Sequence, residues 1–372
     1  MTTSRDTSMR TPLHAEHQRL GASFTDFAGW LMPVRYSSDI AEHAAVRTKA
    51  GLFDLSHMGE IELTGSEAGL ALDHSLVGHP SKIGPGRARY SMLCNEYGGI
   101  LDDLVVYRLG DERFLVVANA SNKTVVLEAL ELRAADFDTT VHDASSEWAL
   151  LAVQGPASAA IVSHLTDAEL TGLKYYAIVE ATLAGSSVLL ARTGYTGEDG
   201  FEVYCATTDA PHVWNQLLRA GEPYGLIPAG LACRDTLRLE AGMPLYGHEL
   251  SPDITPFEAG LGRVIAFGKE TSFVGDHALA ERRDNGPQQV LVGLTSAGRR
   301  APRSGYPVLD PATGAEIGTV TSGAPSPTLG HPIAMAYVNL GFHEPGTRLQ
   351  VDIRGTRDDV DVVALPFYRR PQ

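Results

Sequence analysis

Two adjacent carboxylates lie inside an apolar, β-branched run, Gly98-Gly99-Ile100-Leu101-Asp102-Asp103-Leu104-Val105-Val106. An ionised carboxylate is costly to bury without a partner, a cap or a ligand. Neighbouring side chains on a strand point to opposite faces, so Asp102 and Asp103 are expected to separate. One of them must then look toward the packed side of the sheet or a cleft. Two roles fit: an edge or turn Asp accepting backbone N–H bonds, or acid–base and electrostatic work on a ligand.

A second segment is Arg192-Thr193-Gly194-Tyr195-Thr196-Gly197-Glu198-Asp199-Gly200-Phe201-Glu202. Its glycines recur at every third position, which permits tight turns and close approach of backbone to a ligand. The spacing is not the dinucleotide fingerprint, and no Walker A lysine is present. Tyr195 offers an aromatic face and Glu202 a carboxylate, suited to stacking on a heterocycle and pairing with its amidine edge. A plain structural hairpin is the other reading. Ala232-Cys233-Arg234-Asp235-Thr236-Leu237-Arg238-Leu239-Glu240 is a helical stretch of alternating charge. It is either a solvated, salt-bridged face or one that turns an Arg inward to a carboxylate ligand. His14 and His17 share a helix with no further metal ligands nearby, and His57 sits in a connection; all three read as packing or surface residues.

The elements that must position these residues follow from pattern. Helices are expected over 11–21, 39–50, 66–76 (capped by Ser66), 119–135, 155–164 and 210–220. Strands are expected over 59–63, 89–93, 100–109, 113–118, 139–141, 149–154, 181–191 and 201–205. Phe27 to Pro33 reads as a dense apolar connection. This order gives two successive α+β units with antiparallel sheets and helices on one face. Beyond a polar linker at 282–287, short alternating runs punctuated by Pro and Gly indicate a small β-barrel or jelly-roll-like domain.

The 372 residues carry 30 Lys+Arg against 45 Asp+Glu, a net charge of −15. Such a surface disfavours nucleic acid and anionic membranes and suits small-molecule chemistry. Cys94, Cys205 and Cys233 are far apart and form no CxxC pair, so they read as core residues in a reducing cytosol. No run reaches the roughly 18 apolar residues of a membrane span. Met1 to Arg10 is polar and lacks a secretory h-region, so a cytoplasmic protein is expected. Against the acidic background, Gly298-Arg299-Arg300-Ala301-Pro302-Arg303 is a basic run, either a solvated loop or a docking site for an acidic partner.

In order along the chain, Thr11-Pro12-Leu13, Phe27-Ala28-Gly29-Trp30, Phe53-Asp54-Leu55-Ser56-His57-Met58, Tyr90-Ser91, Gly98 to Asp103, Arg192 to Glu198, Pro228-Ala229-Gly230-Leu231, Leu245-Tyr246-Gly247 and Pro366-Phe367-Tyr368-Arg369 resemble one family. It is the T-protein of the glycine cleavage system, a tetrahydrofolate-dependent aminomethyltransferase. The resemblance implies a three-domain cloverleaf around a central hole that holds the folate. Its parts would be a folate-binding α+β domain (1–50 and 145–285), a ferredoxin-like α+β domain carrying the Asp pair (51–144) and a C-terminal barrel (286–372). It also implies transfer of an aminomethyl-derived one-carbon unit from the lipoyl arm of H-protein to tetrahydrofolate, releasing ammonia, with no metal.

Asp103 then resembles the essential carboxylate near the folate nitrogens, and Glu202 suits the pterin. Met58, Tyr90, Asn119 and Tyr195 would line the folate site, and Arg234 and Arg369 would order the folate or its acidic tail. Met243 departs from some relatives, which carry an aromatic residue there. Relatives on the same scaffold leave two alternatives, a folate-dependent demethylase and a non-enzymatic folate-binding iron–sulfur maturation factor. The latter carries Lys-Gly-Cys where this chain has Arg192-Thr193-Gly194-Tyr195.

Overall fold

The computed structural model describes residues 8–371, so most of the Met1 to Arg10 stretch lies outside the described residues. The chain divides into two compact units: residues up to Glu60 with Asp143–Asp235, and Ile61–His142 with the chain from Thr236 onward.

The first unit is built on a six-stranded sheet in the order Ile178–Leu183, Ser186–Ala191, Gly200–Ala206, Trp148–Gln154, Ala50–Asp54 and Leu226–Pro228. All neighbours are antiparallel except the last pair, which is parallel through Leu226↔Ala50. Helices Ser158–Ser163 and Ala210–Gly221 supply Ile161, Val213, Trp214 and Leu217 to the core over this sheet. His17 is a packing histidine: its Nε2 meets Asp54 Oδ2 at 2.7 Å and its Nδ1 meets the Tyr36 hydroxyl at 2.8 Å. His14 is also buried.

Two hairpins in this unit were not apparent in the sequence. The 181–191 run is two strands, Ile178–Leu183 and Ser186–Ala191, and the 27–33 connection is part of a hairpin of Ser23–Phe27 with Trp30–Arg35. Both turn on an Ala-Gly pair with positive φ, Ala184-Gly185 (53° and 86°) and Ala28-Gly29 (52° and 80°). Two-residue turns of this hand normally announce themselves with Asn or Asp at the first position, and Ala hides them. The helix expected to run to residue 50 stops at Thr48, because Ala50–Asp54 joins the sheet and is buried at every position.

In the second unit a five-stranded sheet runs Arg87–Cys94, Ile100–Arg108, Arg113–Ala118, Gly59–Thr64 and Thr140–Asp143. Helices Ala68–Ser75 and Lys123–Ala134 contribute Ala68, Leu72, Val126 and Leu130 to the core with Leu104, Val106 and Val116. Ser66 is not a helix cap; its hydroxyl donates to Asp138 Oδ2 at 2.6 Å. The 119–135 helix begins only at Lys123, since Asn119 and Asn122 use their amides elsewhere. The polar 282–287 stretch is largely the end of helix Asp276–Asn285, which stops at Gly286 with φ 73°.

Strands from Gln289 to Val363 close a six-stranded barrel around Leu294, Val308, Ala336, Val351 and Val362. The fold class is thus α+β with antiparallel sheets and a C-terminal β-barrel. All three cysteines are free and buried. Among the described residues, no helix is long and apolar enough to cross a membrane.

Candidate active site

The expected site residues fall into two groups, one in each unit. In the second unit, strand Ile100–Arg108 alternates as expected: Asp102 shares the buried face with Ile100, Leu104 and Val106, while Asp103 is half-buried. The turn before it is fixed by Asn95, whose Oδ1 accepts the N–H groups of Tyr97 and Gly99 at 2.9 Å each. A Cβ on Gly99 would fall 1.7 Å from the Pro252 carbonyl oxygen, so only glycine brings the chain into the strand here.

The carboxylates nevertheless do not separate. Register Val105↔Val117 continues toward Asn119, whose side-chain nitrogen donates to Asp102 Oδ1 at 2.9 Å and to Asp103 Oδ1 at 2.8 Å. Asp102 also accepts the Asn119 backbone N–H (3.0 Å) and the Asn122 amide (2.6 Å). Asp103 Oδ2 accepts the Tyr90 hydroxyl at 3.0 Å. Alternation sets the backbone, but at the strand's end both side chains reach one amide. The expected separation therefore holds for the strand faces and not for the carboxylate oxygens.

Burial pushes Asp102 up to about 7, helped by the charge of Asp103 and opposed by the Asn122 and Asn119 donors. Burial likewise raises Asp103 to about 6, against the Tyr90 and Asn119 bonds, with the Glu249 charge adding to the rise. Carboxyls held near neutrality can both take and give a proton at physiological pH. Tyr246, whose hydroxyl is raised by burial and by both Asp charges, stands near enough to feel the pair. Sequence reasoning did not single out Asn122. Its one signal is a second amide three residues after Asn119, in Asn119-Ala120-Ser121-Asn122.

In the first unit, Tyr195, Glu202 and Arg234 come together. Arg234, from helix Leu231–Glu240, lies over the Tyr195 ring with its guanidinium carbon 4.8 Å from the centroid. Glu202 is close enough to act on the Arg234 charge, and the Thr193 hydroxyl donates to Glu202 Oε2. The glycine-rich segment is held from behind. Gln154 donates to the Thr193 carbonyl (3.0 Å) and accepts from the Thr196 hydroxyl (3.0 Å). Arg47 Nη1 donates to the Thr196 carbonyl (2.7 Å) and Glu198 Oε1 (2.9 Å), a pair at most 5% exposed.

A Cβ on Gly194 would fall 2.0 Å from Gln154 Oε1, and one on Gly200 2.3 Å from its Nε2. The glycines therefore serve close packing of the loop on Gln154. Gly200→Ala is expected to cost about 1–3 kcal/mol by overpacking. Urea denaturation measures it, and an unchanged midpoint would contradict this account of the loop.

Met58 is half-buried in the turn Leu55 to Met58, closed by its N–H to the Leu55 carbonyl at 3.0 Å. Beside it His57 is buried edge-on to Phe27, its centroid 5.5 Å away, and burial with the Arg234 charge lowers it to about 4 against the pull of Asp54. It is a neutral packing imidazole. Arg369 is exposed and joins neither group. Arg238 and Glu240 overturn the solvated-face reading of their helix. Arg238 is 1% exposed and bonded to Glu249 (2.8 Å) and Ser322 (2.8 Å), while Glu240 is buried under Ser326 and Thr328. Among the described residues, no cluster of three or more His, Cys, Asp or Glu could hold a metal ion.

Known proteins match this architecture along nearly all of its length. The family described as the GCVT N-terminal domain matches residues 13–269, and the glycine cleavage T-protein C-terminal barrel domain matches 289–369. An aminomethyltransferase of Saccharopolyspora erythraea is 60% identical over 361 residues, covering 97% of this chain and 98% of its own. One from Streptomyces coelicolor is 61% identical over 365 residues with the same coverage. The crystal structure of glycine cleavage system aminomethyltransferase T from Bartonella henselae superposes with a TM-score of 0.91 at 37% identity, over 97% of this chain and 98% of that one. With both domain families matched in order and relatives at this identity, the chain belongs to the glycine cleavage T-protein family and is an aminomethyltransferase.

Proposed function

We propose that this transferase passes the aminomethyl-derived carbon from the lipoyl arm of H-protein to tetrahydrofolate, yielding 5,10-methylenetetrahydrofolate, ammonia and the dihydrolipoyl carrier. The observation that carries the reading is Asp103, a half-buried carboxyl raised toward neutrality and aimed by Tyr90 and Asn119. As the thiolate departs, the carbon becomes iminium-like. Asp103 stabilises that charge and carries a proton away from the attacking folate nitrogen.

The donor set in the first unit fits a reduced pterin. Glu202 matches adjacent N–H donors of the ring, and Tyr195 supplies an aromatic face backed by Arg234. Met58, in the same unit, lines the same ligand; in the other unit Asn119 and Tyr90 aim the Asp103 carboxyl for its role in folate chemistry. Arg234 orders the folate from beside the Tyr195 ring, and Arg369, exposed and outside both groups, is offered to its acidic tail. The deciding experiment is formation of methylenetetrahydrofolate and ammonia from aminomethyl-loaded H-protein. Calorimetry with reduced folate alone should show binding without H-protein; a folded protein giving no heat at ligand excess would defeat the folate assignment.

The carrier is proposed to dock on the basic run. Arg299 and Arg300 are exposed on a chain of net charge −15. Electrostatics then sets the encounter rate, so reversing both charges should weaken H-protein use, most at low salt, and spare folate binding. Kinetics that stay unchanged across a salt series would leave the run a solvated loop.

A further inference from the structure

We infer that Asp102 and Asp103, gathered on the Asn119 amide, act as one acid–base unit that together holds a single proton, with Asp102 the positioning residue through which the charge on Asp103 is set. The inference rests on the reading of Asp103 as the catalytic carboxyl and adds a role for its neighbour. One nitrogen, Asn119 Nδ2, lies within 3 Å of an Oδ1 from each carboxyl, so the two acceptors converge on a single donor group. That nitrogen also meets the Asp103 carbonyl at 2.9 Å, giving three acceptors for its two hydrogens. Two full charges gathered there, one at 0% exposure, repel strongly in a low-dielectric site. One proton on either carboxyl relieves the repulsion, and such a pair titrates in two macroscopic steps that belong to both residues.

The surroundings complete the balance. Asn119 favours charge on both carboxyls, Asn122 favours it on Asp102, and the Tyr90 hydroxyl favours it on Asp103. Glu249 opposes charge on Asp103, and Tyr246 stands in the field of both. In the reaction the pair accepts the N5 proton of the folate and returns it to the amine that leaves as ammonia. The N10 proton goes to the thiolate, so the pair ends in its starting state.

The test is a carboxyl ¹³C titration of aspartate-labelled full-length protein without substrates, alongside the pH profile of turnover. In the wild type both resonances should respond at both steps. In Asp102→Asn the like charge is gone, and Asp103 should titrate in a single step, at the lower step of the wild-type pair and below its upper one. Asn122→Ala removes a donor that favours charge, so its upper step should move to higher pH. The limb of the turnover profile that each step sets should move with that step. Opposite displacements exclude general loosening, and Asn122→Ala with the wild-type titration decides the matter should Asp102→Asn fail to fold. An Asp103 resonance titrating in one step, at the same pH in wild type and variants, overturns the inference. Normal turnover in Asp103→Asn would instead overturn the catalytic reading and leave the titration result standing.

Discussion

Asp103→Asn is expected to lower turnover with loaded H-protein by at least about 10²-fold, with a much smaller change in tetrahydrofolate affinity. The substitution keeps the shape of the side chain. It removes both the charge that would stabilise an iminium-like carbon and the ability to carry a proton, each typically worth about 10² or more in rate. Affinity is largely spared because the pterin donors proposed above, Glu202, Tyr195 and Arg234, are untouched. The paired measurement is kcat and the calorimetric Kd. Near-normal turnover would remove Asp103 from the chemistry, and a matching loss of affinity would make it a binding residue only.

The largest stability effect is expected at Arg238, outside the Asp cluster. Arg238→Met leaves Glu249 at 0% exposure without its cationic partner, and its Oε1 already has no hydrogen-bond partner among the described residues. Removing one member of a buried pair typically costs about 3–5 kcal/mol, because the remaining charge is uncompensated. Urea unfolding at pH 8 measures it. Replacing both partners, Arg238→Met with Glu249→Gln, should recover part of the loss. A loss below about 1 kcal/mol at pH 8 would mean that the pair contributes nothing net.

What the sequence makes legible depends on how local its cause is. Asp103 and the Gly194–Gly200 spacing stand out because carboxylates in an apolar strand and glycines at fixed intervals each have few physical uses. The convergence of Asp102 and Asp103 was not legible, because it depends on the partner strand's register bringing Asn119 across from Asp103. The Ala-Gly hairpins lack the side chain that usually marks such turns. Alternating charge around Arg238 reads as a wet surface because its partners, Glu249 and Ser322, lie 11 and 84 residues away. Nothing beside it in the chain signals burial.

Strand order carries a consequence for synthesis. Ala50–Asp54 is buried at every position, yet its sheet neighbours are Trp148–Gln154 and Leu226–Pro228. At translation rates of about 5–20 residues/s, those neighbours leave the ribosome on the order of 10 s after it. Through that interval the nascent chain displays an apolar strand with both edges open, the form most prone to pairing with another chain. A chain terminated before Pro228 lacks that neighbour and keeps the edge open permanently.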